Sequence, residues 1–404
     1  MATPAQRTNT WILDEWYDQA VAGTQGDYVG TKELWTWGQA TNYALGLSQP
    51  ENTDQSSPCQ LPGGTWTNKF AASYDFSIAV KTDGTLWAWG YQGNGRGGFN
   101  NNYPHPSSPK QVGTDTNWAT VAAIQDSTFA TKTDGTAWAM GRNQNGQLGQ
   151  NDRTERSSPI QIPGTTWSAT YAMYNGASSF IGAVKTDGTL WTWGGNIYGV
   201  LGQNQGSLPF SDHRSSPTQL GTATDWKKMV NVNSGSFMGA VKTDGALWAW
   251  GDGRYGMYAN NVGSPFSLLY SSPVQIPGEW ENVVSSTYNM TATKPDGTLW
   301  VWGRNDWGQL GQNQSFGERN AQSSPIQMGT ATNWDKVEGG QRAIYVTNTN
   351  GELYSWGGYN QVGQLGTNDV ISRSSPTQIP GTWSYPPVVG NRDNNPHVLG
   401  TKLA

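Results

Sequence analysis

The residues that could carry chemistry are few and scattered. His105, His213 and His397 are the 3 histidines of a 404-residue chain, and each falls in a separate variable segment with no cysteine or carboxylate at metal-ligand spacing. So divided, they read as surface histidines. Cys59 is the single cysteine; equivalent slots hold Lys110, Ile160, Thr218, Val274, Ile326 and Thr377, so it reads as filler, and an internal disulfide is ruled out. Asp83, Asp134, Asp187, Asp244 and Asp296 recur like an acidic ring, yet each precedes a glycine and none belongs to the spaced carboxylate pattern of a calcium loop. Their expected work is turn geometry. Neither a Gly-x-Ser-x-Gly elbow nor a phosphate-cradling loop occurs. The expectation is a non-enzymatic protein with no cofactor, no metal and no catalytic residues.

The elements around these residues repeat. Lys81 to Gly90 reads Lys-Thr-Asp-Gly-Thr-Leu-Trp-Ala-Trp-Gly and recurs ending at Gly141, Gly194, Gly251 and Gly303, with altered copies ending at Gly38 and Gly357. Ser-Ser-Pro triplets starting at Ser56, Ser107, Ser157, Ser215, Ser271, Ser323 and Ser374 keep the same beat. A period of about 50 residues is that of a propeller or solenoid. Asp-Gly between apolar runs predicts a two-residue hairpin turn that pairs Val80 with Leu86. In a strand, Trp87 and Trp89 then share one face while Leu86 and Ala88 share the other. Both faces are apolar, as sheets packed on both sides require. All but Trp11, Trp16 and Trp307 of the 22 tryptophans sit at repeat positions and read as core.

The two ends carry complementary halves of one unit. Residues 383–402 supply the start of a repeat that lacks its Leu-Trp-x-Trp-Gly, and residues 30–61 supply that strand with Ser56-Ser57-Pro58. Joined, they close a ring and remove exposed sheet edges. The expected fold is all-β: a seven-bladed β-propeller over 30–404, closed by a blade shared between the N- and C-terminal segments. Residues 1–29 read as an arm with a short amphipathic helix, since Ile12, Leu13, Trp16, Tyr17 and Ala20 recur at helical spacing behind Thr10. Trp11, Ile12, Leu13, Trp16 and Tyr17 are its candidate assembly residues.

Gly-x-Leu-Tyr/Trp-x-Trp-Gly followed by Gly-Gln-Leu-Gly, as at Gly146 to Gly149, Gly308 to Gly311 and Gly363 to Gly366, resembles the regulator of chromosome condensation (RCC1-like) repeat. The resemblance covers residues 30–404. That superfamily includes exchange factors for small GTPases, a plant ultraviolet-B photoreceptor, a secreted propeller-type β-lactamase inhibitor, and bacterial and phage proteins. The short blades here look most like the inhibitor and the bacterial and phage members. They show no inserted wedge of the exchange-factor kind.

Composition narrows the partner class. Lys+Arg 24 against Asp+Glu 29 gives net charge -5, which disfavours nucleic acid, because phosphate binding wants a clustered basic surface. Charged residues are 13%, about half the roughly 25% of ordinary domains. A skin of Asn, Gln, Ser, Thr and Gly suits a virion or extracellular surface. The polar N-terminus shows no secretory apolar region, and no apolar run reaches membrane-spanning length. The leading expectation is a phage virion component, in the tail, a fibre or a capsid-surface decoration, that binds other virion or surface proteins or a host glycan or receptor. The alternative is a soluble, cytoplasmic regulatory binder, either an enzyme inhibitor or a small-GTPase exchange factor.

Recognition should lie where the repeats diverge. The turns that follow each strand-opening tryptophan bring Tyr74, Asp75, Phe76, Gln125, Asp126, Tyr174, Asn175, Asn233, Tyr288, Asn289, Gln341, Arg342, Arg392 and Asp393 to one face. These are the candidate partner-binding residues. Residues 91–105, 204–214 and 255–270 form a second variable set, with Phe99, Phe210, Phe266, Leu268 and Leu269 as apolar anchors.

Overall fold

The computed structural model describes residues 32–100, 105–124, 126–173, 179–205, 213–232, 237–261, 268–314, 321–340, 342–358, 360–390 and 396–403. Its seven sheets stand in a ring. Blade 2 sets the pattern: Trp66–Ser73 innermost, then Phe76–Lys81, Leu86–Gly90 and the outer Lys110–Gln111. Blades 3 to 7 repeat it, their second strands being Ser127–Lys132, Phe180–Lys185, Phe237–Lys242, Asn289–Thr293 and Ala343–Asn348. Blade 1 is the shared one. Trp383–Val389 and His397–Leu403 pair with Lys32–Gly38 and Gln55–Gln60, and Lys32 lies opposite Leu403. Between blades 5 and 6, Asn231–Val232 departs from its own sheet and pairs in parallel with Val284 and Ser285. The amphipathic helix expected over 10–21 lies outside the described residues, among which helix occurs only as 3-10 turns such as Thr41–Tyr43.

The tryptophans explain why the sheets pack. Trp66 meets both Trp87 and Trp89, with ring centroids 6.4 and 6.0 Å away, so the two indoles of one strand do share a face. Fully burying an indole removes roughly 150–250 Å² from water, a gross gain of about 4–6 kcal/mol. The second indole also reaches into the preceding blade. Trp89 Nε1 donates to the Ala44 carbonyl at 2.9 Å, Trp193 to Gln147 at 2.8 Å, Trp250 to Val200 at 2.7 Å, Trp302 to Met257 at 2.9 Å, Trp356 to Gln309 at 2.9 Å and Trp37 to Gln364 at 2.8 Å. Each acceptor lies in a Gly-x-Leu-Gly turn or its equivalent. The last glycine there has φ +69° at Gly366, and a Cβ on it would stand 3.0 Å from Trp37 Nε1. Motif and indole therefore fit as a pair across each of these seams. The bond of Trp37 to Gln364 closes the ring between blades 7 and 1.

One seam departs. Met140 replaces the second indole of blade 3, and the facing turn of blade 2 reads Gly95-Arg96-Gly97-Gly98. A Cβ on Gly98 would meet Met140 Sδ at 2.4 Å. In place of the indole bond, buried Arg96 ion-pairs with Asp126 across this seam, and Thr128 Oγ1 donates to the Arg96 carbonyl at 2.8 Å.

At the opposite end of the blades, the Asp-Gly loops differ from the expected two-residue turn. Gly84 has φ +76° while Asp83 does not have positive φ, and Gly84 N donates to Lys81 O at 2.9 Å before Lys81 N returns to Thr85 O at 3.0 Å. The loop is a type I turn closed by a left-handed glycine, one residue longer than the minimal hairpin. The carboxylate has a defined task. Asp83 Oδ1 accepts from Thr85 N and Oγ1 at 3.0 and 2.5 Å, and Thr85 Oγ1 accepts from Trp87 Nε1 at 2.8 Å. The threonine hydroxyl bond holds Asp83 below the ordinary carboxylate range, and Asp134, Asp187 and Asp296 are lowered in the same way. Lys81 lies over two indoles, 5.0 Å from the Trp66 ring and 3.7 Å from Trp87. Lys132, Lys185, Lys242, Lys294 and Lys402 repeat this clamp at 4.0 to 5.5 Å.

The reading of His397 as a surface residue is corrected. It opens a strand of the shared blade, is 1% exposed, and its Nε2 lies 2.8 Å from Ser77 Oγ in blade 2. Burial lowers it to about 4 from 6.5, against the partial support of Asp75 and the backbone of Tyr74 and Phe76. The folded state keeps it neutral while the unfolded chain takes up a proton near 6.5. This contribution to stability is therefore complete above pH 6.5 and is lost as pH falls toward 4, reaching on the order of 3 kcal/mol. Urea unfolding at pH 7 and pH 4.5 should show this loss in the parent chain and a smaller one in His397→Gln; equal losses would refute the assignment. In blade 5, Ala246 stands where Thr85 stands in blade 2, and Trp248 Nε1 is left without a protein partner. Ala246→Thr should raise stability by about 1 kcal/mol, seen as a higher thermal midpoint; an unchanged or lower midpoint would contradict the relay.

Candidate partner-binding face

The hairpins that join the first and second strands of blades 2 and 6 open on the face opposite the Asp-Gly loops. Tyr74, with φ +48°, makes the tight turn of blade 2, and Tyr288, with φ +59°, that of blade 6. Such turns project a side chain outward and leave the next residues inside. Phe76 and Asn289 accordingly open strands opposite Gly90 and Gly303 and are buried at 1% and 0% exposure. They support the face without presenting surface. Asp75 is also buried and accepts from Asn42 Nδ2 at 2.8 Å. Tyr74, Asp126, Tyr288 and Arg342 remain partly exposed. Gln125, Tyr174, Asn175, Asn233, Gln341, Arg392 and Asp393 lie outside the described residues, as do Trp11, Ile12, Leu13, Trp16 and Tyr17.

Two groups of side chains occupy this face. Over blades 2 and 3, Asp126 pairs with Arg96 and, at 3.1 Å, with Arg142. Arg96 lies 4.7 Å from the Tyr91 ring, and Tyr91 stacks on His105 at 4.7 Å. Burial, then Arg96, pulls His105 below its ordinary value. Asp126 and Arg96 serve the seam first.

Over blades 5 to 7 the arrangement is more open. Arg254 Nη2 pairs with buried Asp252 at 2.5 Å and donates to Tyr288 Oη at 2.8 Å. Tyr288 stacks on Tyr255 at 5.3 Å, and the Arg304 guanidinium lies 4.9 Å from Tyr255 and 5.9 Å from Tyr288. Asp306 holds Arg304 at 2.6 Å, and Arg342 reaches over Trp307 at 4.8 Å. Partial burial raises the Tyr288 phenol, so it stays protonated and donor-competent at neutral pH. The result is a patch of rings and guanidinium planes in which Asp252 and Asp306 match the charges of Arg254 and Arg304. It offers stacking and directed hydrogen bonds, the means by which protein interfaces gain energy. It offers no nucleophile beside a base. Among the described residues there is no group of three or more His, Cys, Asp or Glu able to hold a metal.

Several of these residues were missed in the sequence. Arg142, Asp252 and Arg304 follow the closing glycine of the Leu-Trp-x-Trp-Gly strand, a slot whose neighbours conceal its outward direction. Trp307 stood out as a tryptophan off the repeat grid, and Tyr255 heads one of the variable segments.

A ring of repeats that presents such a face is a protein-interaction propeller. The chain belongs to the family of the regulator of chromosome condensation (RCC1) repeat, which matches residues 33–80, 134–169, 187–241, 296–344 and 350–390, with a second RCC1 repeat description matching 68–96. It is similar to the ultraviolet-B receptor UVR8 of Arabidopsis thaliana, 28% identical over 384 residues that cover 91% of this chain and 81% of the receptor. It is also similar to the E3 ubiquitin-protein ligase HERC2 of Homo sapiens, 25% identical over 85% of this chain but only 7% of the ligase. Among solved structures, human WBSCR16 superposes with a TM-score of 0.77 at 19% identity, covering 92% of this chain and 99% of that one. Yeast RCC1 (Prp20), solved bound to Kap60, gives 0.77 at 18% identity, covering 100% and 96%. Both structural likenesses speak to the fold. Among the described residues, no helix is long and apolar enough to cross a membrane.

The two groups on the face should respond differently to truncation. Arg96→Ala removes the buried guanidinium of the seam and leaves Asp126 only Arg142, and should cost about 2–3 kcal/mol of stability. Arg304→Ala, on a partly exposed pair, should cost less than about 1 kcal/mol. Chemical denaturation of the two variants checks this; similar losses would mean that the blade 5 to 7 patch is also structural.

Proposed function

We propose that this chain is a non-enzymatic regulatory binder that holds a partner protein on the face built by Arg254, Tyr255, Tyr288, Arg304, Trp307 and Arg342. The observation that carries the reading is the convergence of these half-buried rings and guanidinium groups from successive blades on one end of a rigid ring. Tyr74 and Asp126 extend the same surface over blades 2 and 3. Arginine and tyrosine fixed in advance lose little freedom on binding, which favours affinity.

The relatives support a regulatory role over the virion role expected from the low charge. UVR8 is an ultraviolet-B receptor, and yeast Prp20p binds Gsp1p and histones. A virion or surface component rests on the sequence alone, on its low charge, its polar N-terminus and its short blades, so it is the second reading. Within the regulatory class, a protein partner of the small-GTPase type and an inhibited enzyme are the two candidates.

Immobilised full-length chain should retain a purified small GTPase, or an enzyme whose turnover it suppresses. The combined Arg254→Ala, Tyr288→Ala and Arg304→Ala variant should weaken that retention at least about tenfold, since hot-spot truncations of this type each cost about 2 kcal/mol or more. A nucleotide-release assay on the bound GTPase separates exchange from plain binding. Retention unchanged in the variant would move the binding face elsewhere, and purified virions containing the protein would restore the second reading.

A further inference from the structure

Blade 7 breaks the lysine clamp. In blade 2, Trp66 lies opposite Lys81 in the strand register, and Trp167 and Trp226 likewise face Lys185 and Lys242. In blade 7 the residue opposite Trp334 is Asn348. The aromatic walls remain. Trp334 and Tyr354 meet edge to face with centroids 5.2 Å apart and planes at 76°, close to the 75° to 81° of the Trp66–Trp87, Trp118–Trp138, Trp167–Trp191 and Trp226–Trp248 pairs. Among the described residues, no cation lies over either ring.

Two more features distinguish this slot. The tryptophans at the other strand starts, Trp66, Trp118, Trp167, Trp226, Trp280 and Trp383, are buried, whereas Trp334 is half-exposed. Glu352 replaces the threonine of the Asp-Gly-Thr relay. Its Oε2 accepts from Asn348 Nδ2 at 2.5 Å and lies 3.4 Å from Tyr354 Oη. A carboxylate thus borders two rings whose counterparts elsewhere surround an ammonium. Asn348 also takes over the turn, since its Oδ1 accepts from Asn350 N and Glu352 N at 3.1 and 3.0 Å.

We infer that the Trp334, Tyr354 and Glu352 slot of blade 7 binds an alkylammonium group, the side chain of a lysine or methylated lysine presented by a partner protein. In blades 2 to 6 the chain's own lysines lie over ring pairs that meet at 75° to 84° with centroids 6.1 to 6.5 Å apart, the same edge-to-face arrangement that Trp334 and Tyr354 make at closer range, and ring faces attract such cations electrostatically. Glu352 supplies the carboxylate that in other blades comes from elsewhere, as Asp115 pairs with Lys132 at 2.8 Å and Asp225 with Lys242 at 3.0 Å. The site lies on the Asp-Gly face, opposite the arginine and tyrosine patch, so it stands independently of the function proposed above.

The test is titration of the full chain with n-butylammonium and with butyltrimethylammonium, followed by the Trp334 indole Nε1–H resonance, assigned through Trp334→Phe. A saturable shift is expected, with Glu352→Gln weakening it several-fold. The double variant Asn348→Lys, Asn350→Asp rebuilds the occupant and the turn of the other blades, and should abolish the shift while preserving the fold. Tighter binding of the primary amine points to unmodified lysine and tighter binding of the quaternary one to methylated lysine; either supports the site. Absence of a saturable shift in the parent chain, or equal shifts in the parent and the self-filled double variant, overturns it.

Discussion

The ring depends on an indole that is asked to do two things at once. Its hydrocarbon must be buried between neighbouring sheets, and its N–H, once buried, must find an acceptor or cost free energy. The Gly-x-Leu-Gly turn of the preceding blade meets both demands: its leucine lines the same wedge, its carbonyl accepts the N–H, and its glycine leaves room for the ring edge. One blade alone cannot satisfy its own tryptophan. Each sheet therefore needs its neighbour, which is why the chain must close and why the last blade is assembled from both ends through Trp37 and Gln364.

That constraint sets where the protein is free to vary. Inner, second and third strands carry the seam residues, so they repeat. The hairpins at one end need only a residue that tolerates positive φ, as Tyr74 and Tyr288 do, and the slot after each closing glycine is not constrained by the seam. Arg142, Asp252 and Arg304 occupy that slot. Rings and guanidinium groups collect there because the scaffold makes few demands on those positions, and rigid strands hold what they present.

The fold was legible from sequence because its signal is redundant: two independent motifs count the same blades, and complementary ends announce the closure. The loop type was less legible. Asp-Gly fits both a two-residue and a three-residue hairpin, and the backbone bonds of Lys81 with Gly84 and Thr85 decide between them. The site was legible in outline. Tyr288 and Arg342 stood in the expected turns, but Phe76 and Asn289 shared those triplets and turned inward, because a strand begins at the third position of the blade 2 triplet and the second of the blade 6 triplet. His397 misled for a related reason. Its local sequence, Asn-Asn-Pro-His, reads as loop, and only pairing with a strand from the other end of the chain buries it against Ser77.

A repeat protein carries its own controls, and the exceptions in this one fall into two kinds. Where Met140 replaces an indole, the loss is met across the same seam by Arg96 and Asp126, and the exception leaves nothing for a ligand. Where Asn348 replaces a lysine, the turn is repaired but the rings are not covered, and the turn carboxylate, lost at Asn350, is moved to Glu352 beside Tyr354. Compensation in the first case restores packing; in the second it preserves an opening. Relaxed selection would remove the lysine without supplying Glu352, and pure packing would fill the gap with an apolar side chain. The pairing of an uncovered ring slot with a carboxylate brought next to one of its rings is the pattern that recognition of a cation requires.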